Sequence, residues 1–448
     1  MTEAASASES SWTAFGWGPW PQDGTVPQEE LTEATAEQMR LPKSLRPVLG
    51  EGVLQRPVFD PSMAHHARAM RPGEPQFEDA EAGRRWYAAR RRATDLVLAA
   101  VAESPWAEHL VLRGSVLLKA WYGEAAREPG DLDFVVVPDS WELADERTDR
   151  MLDGIARAAD LGSRRAGGPV RIDSRGAVGD EIWTYDRVPG RRLVIPWTSG
   201  ADGVPPGTVQ LDFVFNERLP APSAVTSIPR RTGTEPPIRL HAATPELSLA
   251  WKILWLESDM HPEGTDLYDA VLLAESTELP FELLRQVFQG VENGHYERNP
   301  VLLEQIGKIE ANWFEFSKDH PHLKDRHGEY RARLLKALAP AFAALDDGSG
   351  ESAAYLERAA WLAQWTRDCG QMLADSGMDA VQEHLLDRYV HAENAIVITR
   401  ELLGRADCEI VDAAETVYAF RSFSRKANDL REYLGDPVEA SRKLTGER

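Results

Sequence analysis

The stretch that decides the fold runs from His109 to Pro138. It reads His109-Leu-Val-Leu-Arg-Gly-Ser-Val-Leu-Leu-Lys-Ala-Trp121 and then, after a charged loop, Pro129-Gly-Asp-Leu-Asp-Phe-Val-Val-Val-Pro138. An apolar run that ends at a glycine and resumes with helical spacing predicts a strand, a tight turn and a helix, and the second apolar run predicts another strand. Gly114 and Ser115 then lie where the first strand passes into the helix. Free backbone N–H groups and the helix dipole favour phosphate binding at such a position.

Two carboxylates begin the second predicted strand. Asp131 and Asp133 are two residues apart, and successive strand residues alternate between faces, so both side chains lie on one face. Adjacent carboxylates repel each other unless a cation lies between them, and Mg²⁺ binds one or two carboxylates together with substrate phosphates. The phosphate-binding turn and the paired carboxylates together predict phosphoryl or nucleotidyl transfer from a nucleotide.

A third carboxylate lies in the segment Gly207-Thr-Val-Gln-Leu-Asp-Phe-Val-Phe215. Apolar side chains alternate along this predicted strand, so Gln210 and Asp212 point away from its apolar face. A lone charge in so apolar a strand needs a partner or an ion. Together with the two carboxylates of the neighbouring strand, Asp212 completes a set that can hold two metals against the attacking and leaving oxygens of an in-line displacement.

Composition limits the class of protein. The chain has 448 residues, which is long enough for two or three domains, and its hydrophobic content of 43% is ordinary for a globular protein. No apolar run reaches the length of a membrane span and the first residues do not resemble a signal peptide, so we expect a cytoplasmic protein with no membrane partner.

Two cysteines are too few for a zinc site or a disulfide framework. The motifs of P-loop enzymes and of serine or zinc hydrolases do not occur.

The formal charge of −22 argues against an extended nucleic-acid surface, because contacts to phosphates require Lys and Arg. A local basic patch remains compatible with this charge. Five arginines cluster between Arg84 and Arg92, and others are scattered between Arg164 and Arg192. Either these arginines form salt bridges on a solvated surface, or they line a groove for a triphosphate or an RNA end.

The distribution of residue types predicts an α+β protein in four parts. Residues 1–75, rich in Pro, Ser and Gly, form a loosely folded N-terminal arm whose aromatic cluster Trp12–Trp20 acts as a local tether or docks on a groove. Residues 76–245 form a catalytic core with a mixed β-sheet flanked by helices, and residues 246–345 form a helical domain that completes the active site. Residues 351–448 form an all-helical region, which is either an accessory domain that selects an acceptor or partner, or an extension of the core.

Two predicted helices of the third part carry charged residues that need an explanation. The helix that begins at Thr244-Pro245 is apolar except for Ser248 and Lys252, so Lys252 either extends to the surface or directs its ammonium at a phosphate or a carboxylate. The next helix contains Asp266 and Asp269 on one face. Asp266 lies in the first turn, where acidic residues commonly stabilise the helix dipole, whereas Asp269 lies deeper and is the stronger catalytic candidate.

In this order, the residues resemble the AbiEii/AbiGii-type toxin family of the DNA polymerase β-like nucleotidyltransferase superfamily, over roughly residues 78–290. The resemblance is carried by Arg113-Gly-Ser115, Arg127-Glu-Pro-Gly-Asp-Leu-Asp133, the strand with Asp212, the helix with Lys252, and Thr265-Asp-Leu-Tyr-Asp269. There are departures from the family pattern: Arg113 stands where a glycine is usual, and Thr265 stands where a basic residue is common.

The resemblance implies a role for each position. It implies catalysis by Asp131, Asp133, Lys252 and Asp269, substrate binding by Gly114, Ser115, Arg127 and Asp266, and metal binding by Asp131, Asp133 and Asp212. In this interpretation Gly114 and Ser115 contact the nucleotide phosphates, and Lys252 reaches the triphosphate. Asp269, or its neighbour Asp266, orients or deprotonates the acceptor.

The predicted activity is the Mg²⁺-dependent transfer of an NMP from an NTP to an RNA end, tRNA in particular, or to a protein side chain, with release of pyrophosphate. The resemblance adds a role as a toxin or in phage defence, and a cognate antitoxin as a partner. Two alternatives stay open. The enzyme modifies a small molecule, which the acidic surface favours, or the chain is a nucleotide-binding or scaffold protein without turnover. The presence of all three acidic positions and Lys252 argues against the second.

Overall fold

The computed structural model describes residues 11–13, 24–66, 68–184, 188–232, 235–291 and 294–445. The chain divides into two compact units. The first unit comprises Met1–Ser248, Met260–Leu272 and Ala311–His327, and the second comprises Leu249–Asp259, Leu273–Glu310 and Gly328–Arg448.

All strands of the described residues belong to the first unit. They are β1 (Val53–Leu54), β2 (Pro57–Phe59), β3 (Met70–Pro72), β4 (Gln76–Phe77), β5 (Leu110–Arg113), β6 (Asp131–Val136), β7 (Val170–Ile172), β8 (Val178–Ile182), β9 (Gly190–Ser199), β10 (Gly207–Val214), β11 (Ala224–Ile228) and β12 (Ile238–Ala242).

The α-helices of the described residues follow the same chain order. They are α1 (Glu33–Met39), α2 (Ala80–Ala102), α3 (Ser115–Tyr122), α4 (Glu146–Ala166), α5 (Pro245–Ser258), α6 (Gly264–Ala274), α7 (Phe281–Gln289), α8 (His295–Arg298), α9 (Leu303–Ile306), α10 (Trp313–Asp319), α11 (His327–Ala343), α12 (Ala353–Trp361), α13 (Ala363–Ser376), α14 (Met378–Asp387), α15 (Ala392–Leu403), α16 (Ile410–Phe423), α17 (Arg425–Asp429), α18 (Arg431–Leu434) and α19 (Pro437–Thr445). None of these helices is both long enough and apolar enough to cross a membrane.

A mixed sheet forms the centre of the first unit. Its order is β11-β12-β5-β6-β10-β9-β7, and β8 pairs with β9 beside this path. Strand β6 is antiparallel to β5 and parallel to β10, while β9 is antiparallel to β10. Helix α2 packs against α4 and against strands of the sheet, so the apolar side chains of β5, β6 and β10 are buried. The α+β class, with a mixed sheet flanked by helices and an all-helical C-terminal region, is confirmed.

Residues 24–77 are more ordered than the loosely folded arm expected from their composition. They contain α1 and two small antiparallel sheets, β1 with β4 and β2 with β3. Leu45 and Met70 belong to a small buried cluster that also contains Trp12. Asp180 of β8 accepts hydrogen bonds from the backbone N–H groups of Lys43 and Ser44. The segment is stabilised by contacts to distant residues, which composition does not reveal. Residues 1–10 and 14–23, with most of the predicted aromatic cluster, lie outside the described residues.

The helices of the second unit share one core across the predicted linker at residues 346–350. Trp361 of α12 is fully buried and packs edge-on against Phe281 and Phe288 of α7, with ring centroids 6.0 and 5.8 Å away. Its indole N–H donates to the carbonyl oxygen of Tyr296, at 2.6 Å. Helix α15 contacts α12, α13, α16 and α19. The division into four parts stays a prediction, and these contacts favour the alternative in which the C-terminal helices extend a core.

Candidate active site

Three carboxylates meet near the centre of the sheet. The parallel register of β6 and β10 pairs Asp133 with Asp212, and Asp131 with Gln210. One oxygen atom from each of Asp131, Asp133 and Asp212 lies within 4.8 Å of the other two. The convergence expected from the sequence is therefore present. Clustered carboxylate oxygens suit a hard divalent cation, and across the described residues no other cluster of acidic, histidine and cysteine side chains has this spacing.

Gly114 brings the turn after β5 directly over one of these carboxylates. Its φ is +81°, a backbone conformation that glycine adopts without the cost it carries for other residues. A Cβ atom at this position would lie 2.2 Å from Oδ2 of Asp133. Both the dihedral angle and the close approach therefore require glycine here.

Ser115 begins helix α3 beside this turn. The residue is 1% exposed, and its hydroxyl oxygen has no hydrogen-bond partner. A buried polar atom without a partner is costly, and the first N–H groups of a helix also lack acceptors within the helix. These donors lie next to the carboxylate cluster, so this corner suits an anion such as a nucleotide phosphate.

Asp212 is held by Arg192, a residue to which the sequence analysis gave no role of its own. Arg192 lies opposite Asp212 in the antiparallel register of β9 and β10. Its Nε and Nη2 donate to the two carboxylate oxygens of Asp212 at 2.9 and 2.8 Å. Its Nη1 donates to Oδ2 of Asp60 at 2.5 Å. The signal was available, because Arg192 is itself a charge in an apolar strand, which is the argument that singled out Asp212.

The two carboxylates that share Arg192 differ in their pKa. Burial raises the pKa of Asp212, and although Arg192 opposes this, the nearby Asp131 and Asp60 add to it, so the net shift is upward. Burial alone would also raise the pKa of Asp60, but Arg192 and the hydroxyl of Ser62 bring it below its ordinary value. The ionised form is thus favoured at Asp60. At Asp212 it is disfavoured, in part because neighbouring carboxylates repel its negative charge.

Arg127 and Asp269, predicted separately as a substrate contact and a catalytic residue, form an ion pair. Nε and Nη2 of Arg127 donate to the two carboxylate oxygens of Asp269 at 3.1 and 3.0 Å. The side chain of Asp269 is fully buried, whereas 16% of that of Arg127 is exposed. Burial alone would lower the pKa of Arg127, but Asp269, with Asp131 and Asp266 nearby, raises it above the ordinary arginine value. This geometry suits Asp269 to holding Arg127 rather than to taking a proton.

The remaining predicted residues lie on helices α5 and α6. Lys252 is buried, and its ammonium lies 5.0 Å from the centroid of the Trp255 ring, which is the geometry of a cation–π contact. Asp266 is buried in the first turn of α6. The roles that the resemblance implies for these two residues stay predictions.

The basic cluster on α2 forms salt bridges. Each of its arginines lies within ion-pair distance of a glutamate: Arg84 and Arg85 of Glu81, Arg90 of Glu74, Arg91 of Glu128 and Arg92 of Glu235. This is the first of the two interpretations left open by the sequence. Arg113, where the family usually has a glycine, is paired in the same way, because its Nη1 donates to Glu217 at 2.6 Å.

Comparisons with known proteins identify one family and one solved structure to which the chain is similar. The family model described as the nucleotidyl transferase AbiEii toxin of type IV toxin–antitoxin systems matches residues 96–367, which is more than half of the chain and extends beyond the end expected from the motifs. Among solved structures, the chain is similar to MenT4, a nucleotidyltransferase toxin from Mycobacterium tuberculosis H37Rv. The identity is 19% and the TM-score 0.42, with 66% of this chain and 94% of that chain covered. No curated protein matches the sequence.

Proposed function

The chain belongs to the AbiEii family of nucleotidyl transferase toxins, and we propose on this premise that it transfers an NMP from an NTP to a macromolecular acceptor in a Mg²⁺-dependent reaction. The family makes the chain a nucleotidyltransferase toxin of a type IV toxin–antitoxin system, so a cognate antitoxin and an NTP are its expected partners. The metal, the acceptor and a role in phage defence belong to the proposal.

One observation carries the proposal. The turn at Gly114 passes so close to Asp133 that a Cβ atom would lie 2.2 Å from the carboxylate, and the next residue, Ser115, presents a buried hydroxyl without a partner. Donors for a phosphate and carboxylates for a metal are thus adjacent, which a metal-bound triphosphate needs.

The proposed mechanism is mostly positioning and charge neutralisation. Asp131, Asp133 and Asp212 would hold a divalent cation, which would supply neutralisation of the charge on the phosphates. Ser115 and the first N–H groups of α3 hold the triphosphate so that its α-phosphorus faces the acceptor hydroxyl. The acceptor oxygen forms a bond to that phosphorus while the bond to the bridging oxygen breaks, and pyrophosphate leaves.

Arg127 and Asp269 act together in this proposal. Because Asp269 is buried and both its oxygens accept from Arg127, it orients the guanidinium, and the exposed part of Arg127 contacts a phosphate. Asp266, one turn earlier on α6, remains as the carboxylate that orients the acceptor hydroxyl and takes its proton. Lys252 is kept as the triphosphate contact that the family resemblance implies.

The acceptor in the proposal is an RNA end, tRNA in particular, or a protein side chain. The test is to incubate the protein with each α-³²P-labelled NTP, Mg²⁺, and either total RNA or RNA-free cell protein, and to ask which fraction becomes labelled. Asp133→Asn is the matched control. It removes one carboxylate charge from the predicted metal site and keeps the shape of the side chain, so we expect it to abolish labelling and to leave the protein folded. If the label appears only in a small molecule, the acceptor is a small molecule, which is the alternative that the acidic surface favours. If Asp133→Asn labels its acceptor as the wild type does, the proposed metal site is refuted.

A further inference from the structure

One guanidinium connects the N-terminal segment to the carboxylate cluster. Arg192 donates from Nε and Nη2 to Asp212, and from Nη1 to Asp60, which is 132 residues away in the chain. Ser62 supports the pair from the same segment: its hydroxyl donates to Asp60 at 2.6 Å and accepts from Arg192 at 3.0 Å. Asp60 is therefore linked to the predicted metal site by hydrogen bonds that run through Arg192.

All members of this group are buried. The side chains of Asp60, Arg192 and Asp212 are exposed by less than 10%. Water contributes little screening at such a site, so charges there influence one another more strongly than on the surface. The planar guanidinium also fixes the orientation of both carboxylates, because its N–H groups point in fixed directions within one plane. A lysine ammonium has no such fixed geometry and could not orient two carboxylates in this way.

We propose that Arg192 is a positioning residue for the metal site, and that Asp60 determines how much of the positive charge of Arg192 acts on Asp212. Paired with Arg192 alone, Asp212 would be neutralised and would attract a cation only weakly. Because Arg192 is shared with Asp60, Asp212 keeps part of its negative charge while its orientation stays fixed. The inference rests on the proposed metal-dependent transfer and adds a residue of the N-terminal segment to its machinery.

The test is the affinity of the full chain for Mn²⁺ alone, measured by calorimetry or by the electron paramagnetic resonance of free Mn²⁺ at physiological salt. In Asp60→Asn, Arg192 keeps its ion pair with Asp212 and loses the one with Asp60, so the net charge near the metal site becomes less negative. A unit charge roughly 8 Å from a divalent ion changes its binding about five- to tenfold even with the screening of water. We therefore expect Mn²⁺ to bind about five- to tenfold more weakly, and transfer to recover when the Mn²⁺ concentration is raised.

Asp319→Asn is the matched control. Asp319 accepts from Arg71 at 3.1 Å and from the backbone N–H of Glu74 at 2.9 Å, so it also anchors the N-terminal segment, through a carboxylate that is only 10% exposed. It does not contact Arg192. The same loss of one charge at Asp319 is expected to lower the stability and to leave the Mn²⁺ affinity unchanged.

Each outcome separates this inference from the proposed function. If the wild-type protein neither binds Mn²⁺ nor transfers a nucleotide, the proposed function fails. If the wild type does both, and Asp60→Asn binds Mn²⁺ as tightly as the wild type or shows the same change as Asp319→Asn, only the role of Asp60 is refuted. Asp60→Ser, which keeps an acceptor for Arg192, replaces Asp60→Asn should that variant not fold. If neither folds in the presence of Mn²⁺, Asp60 is a structural anchor and the proposal is wrong.

Discussion

Replacing Gly114 by alanine adds one methyl group at the point where the turn passes over Asp133. Two costs follow. With φ +81° and ψ −157°, the backbone lies in a region that essentially only glycine occupies, so alanine is unfavourable there by about 1–3 kcal/mol. The new Cβ would also lie 2.2 Å from Oδ2 of Asp133, so the carboxylate or the turn must move by roughly 1 Å to reach ordinary contact. Relieving such an overlap in a packed site costs roughly 1–3 kcal/mol.

Gly123 provides the control at the other end of the same helix. Its φ is +55°, and a Cβ there would meet nothing within 4 Å, so Gly123→Ala carries the backbone cost without the collision. We expect the free energy of unfolding to fall by about 1–3 kcal/mol in Gly123→Ala, and by roughly 1–3 kcal/mol more than that in Gly114→Ala. A displacement of about 1 Å at reacting groups lowers rates roughly 100-fold, so nucleotide transfer should fall by about that factor only in Gly114→Ala.

A double-mutant cycle with Asp133→Ala isolates the collision. Denaturant unfolding of the four proteins measures whether removing the carboxylate relieves the extra cost of the methyl group, and we expect a coupling of roughly 1–2 kcal/mol. Equal stability losses for the two alanine variants, no coupling to Asp133, and wild-type transfer by Gly114→Ala would refute the argument that the turn is built around this carboxylate.

Asp269→Asn removes the countercharge of Arg127 and should lower the free energy of unfolding by about 3–5 kcal/mol, whereas replacing both residues by Met should restore much of the stability without restoring transfer. Lys252→Ala and Lys252→Met should both weaken NTP use in steady-state kinetics if the ammonium contacts the triphosphate, and a nearly normal Met variant would show that Lys252 only packs. A chain that ends at Leu345 lacks Trp361, whose ring covers two phenylalanines of α7, so circular dichroism and solubility should show unfolding of the second unit; a soluble, folded product would support a separate accessory domain.

Much of the site follows from patterns within short stretches of sequence. Period-two alternation places Asp131 and Asp133 on one face of a strand wherever that strand lies, and a glycine between a strand and a helix marks the turn. These properties depend on neighbouring residues, so β5, α3 and β6 were predictable. The ordered recurrence of such pieces also led to the family that the comparison matches over residues 96–367.

The partners of the charged residues depend on contacts across the chain. Arg127 and Asp269 are 142 residues apart and were assigned separate tasks, because nothing near either residue predicts that they meet. Residues 24–77 contain more regular structure than their composition predicted, for a related reason. Composition describes a segment by itself, whereas this segment is anchored by distant groups such as Asp180 and Asp319.

By itself, the sequence determined which side chains are available to the site and on which face of its own element each one lies, because helix and strand periodicity are set by bonds between near neighbours. Only the tertiary structure decided which of these side chains form ion pairs with one another. The register of β9 against β10 sets Arg192 opposite Asp212, and the path of the N-terminal segment brings Asp60 to the same guanidinium. Strand register and long-range packing arise from the burial of many side chains at once, so no local pattern records them.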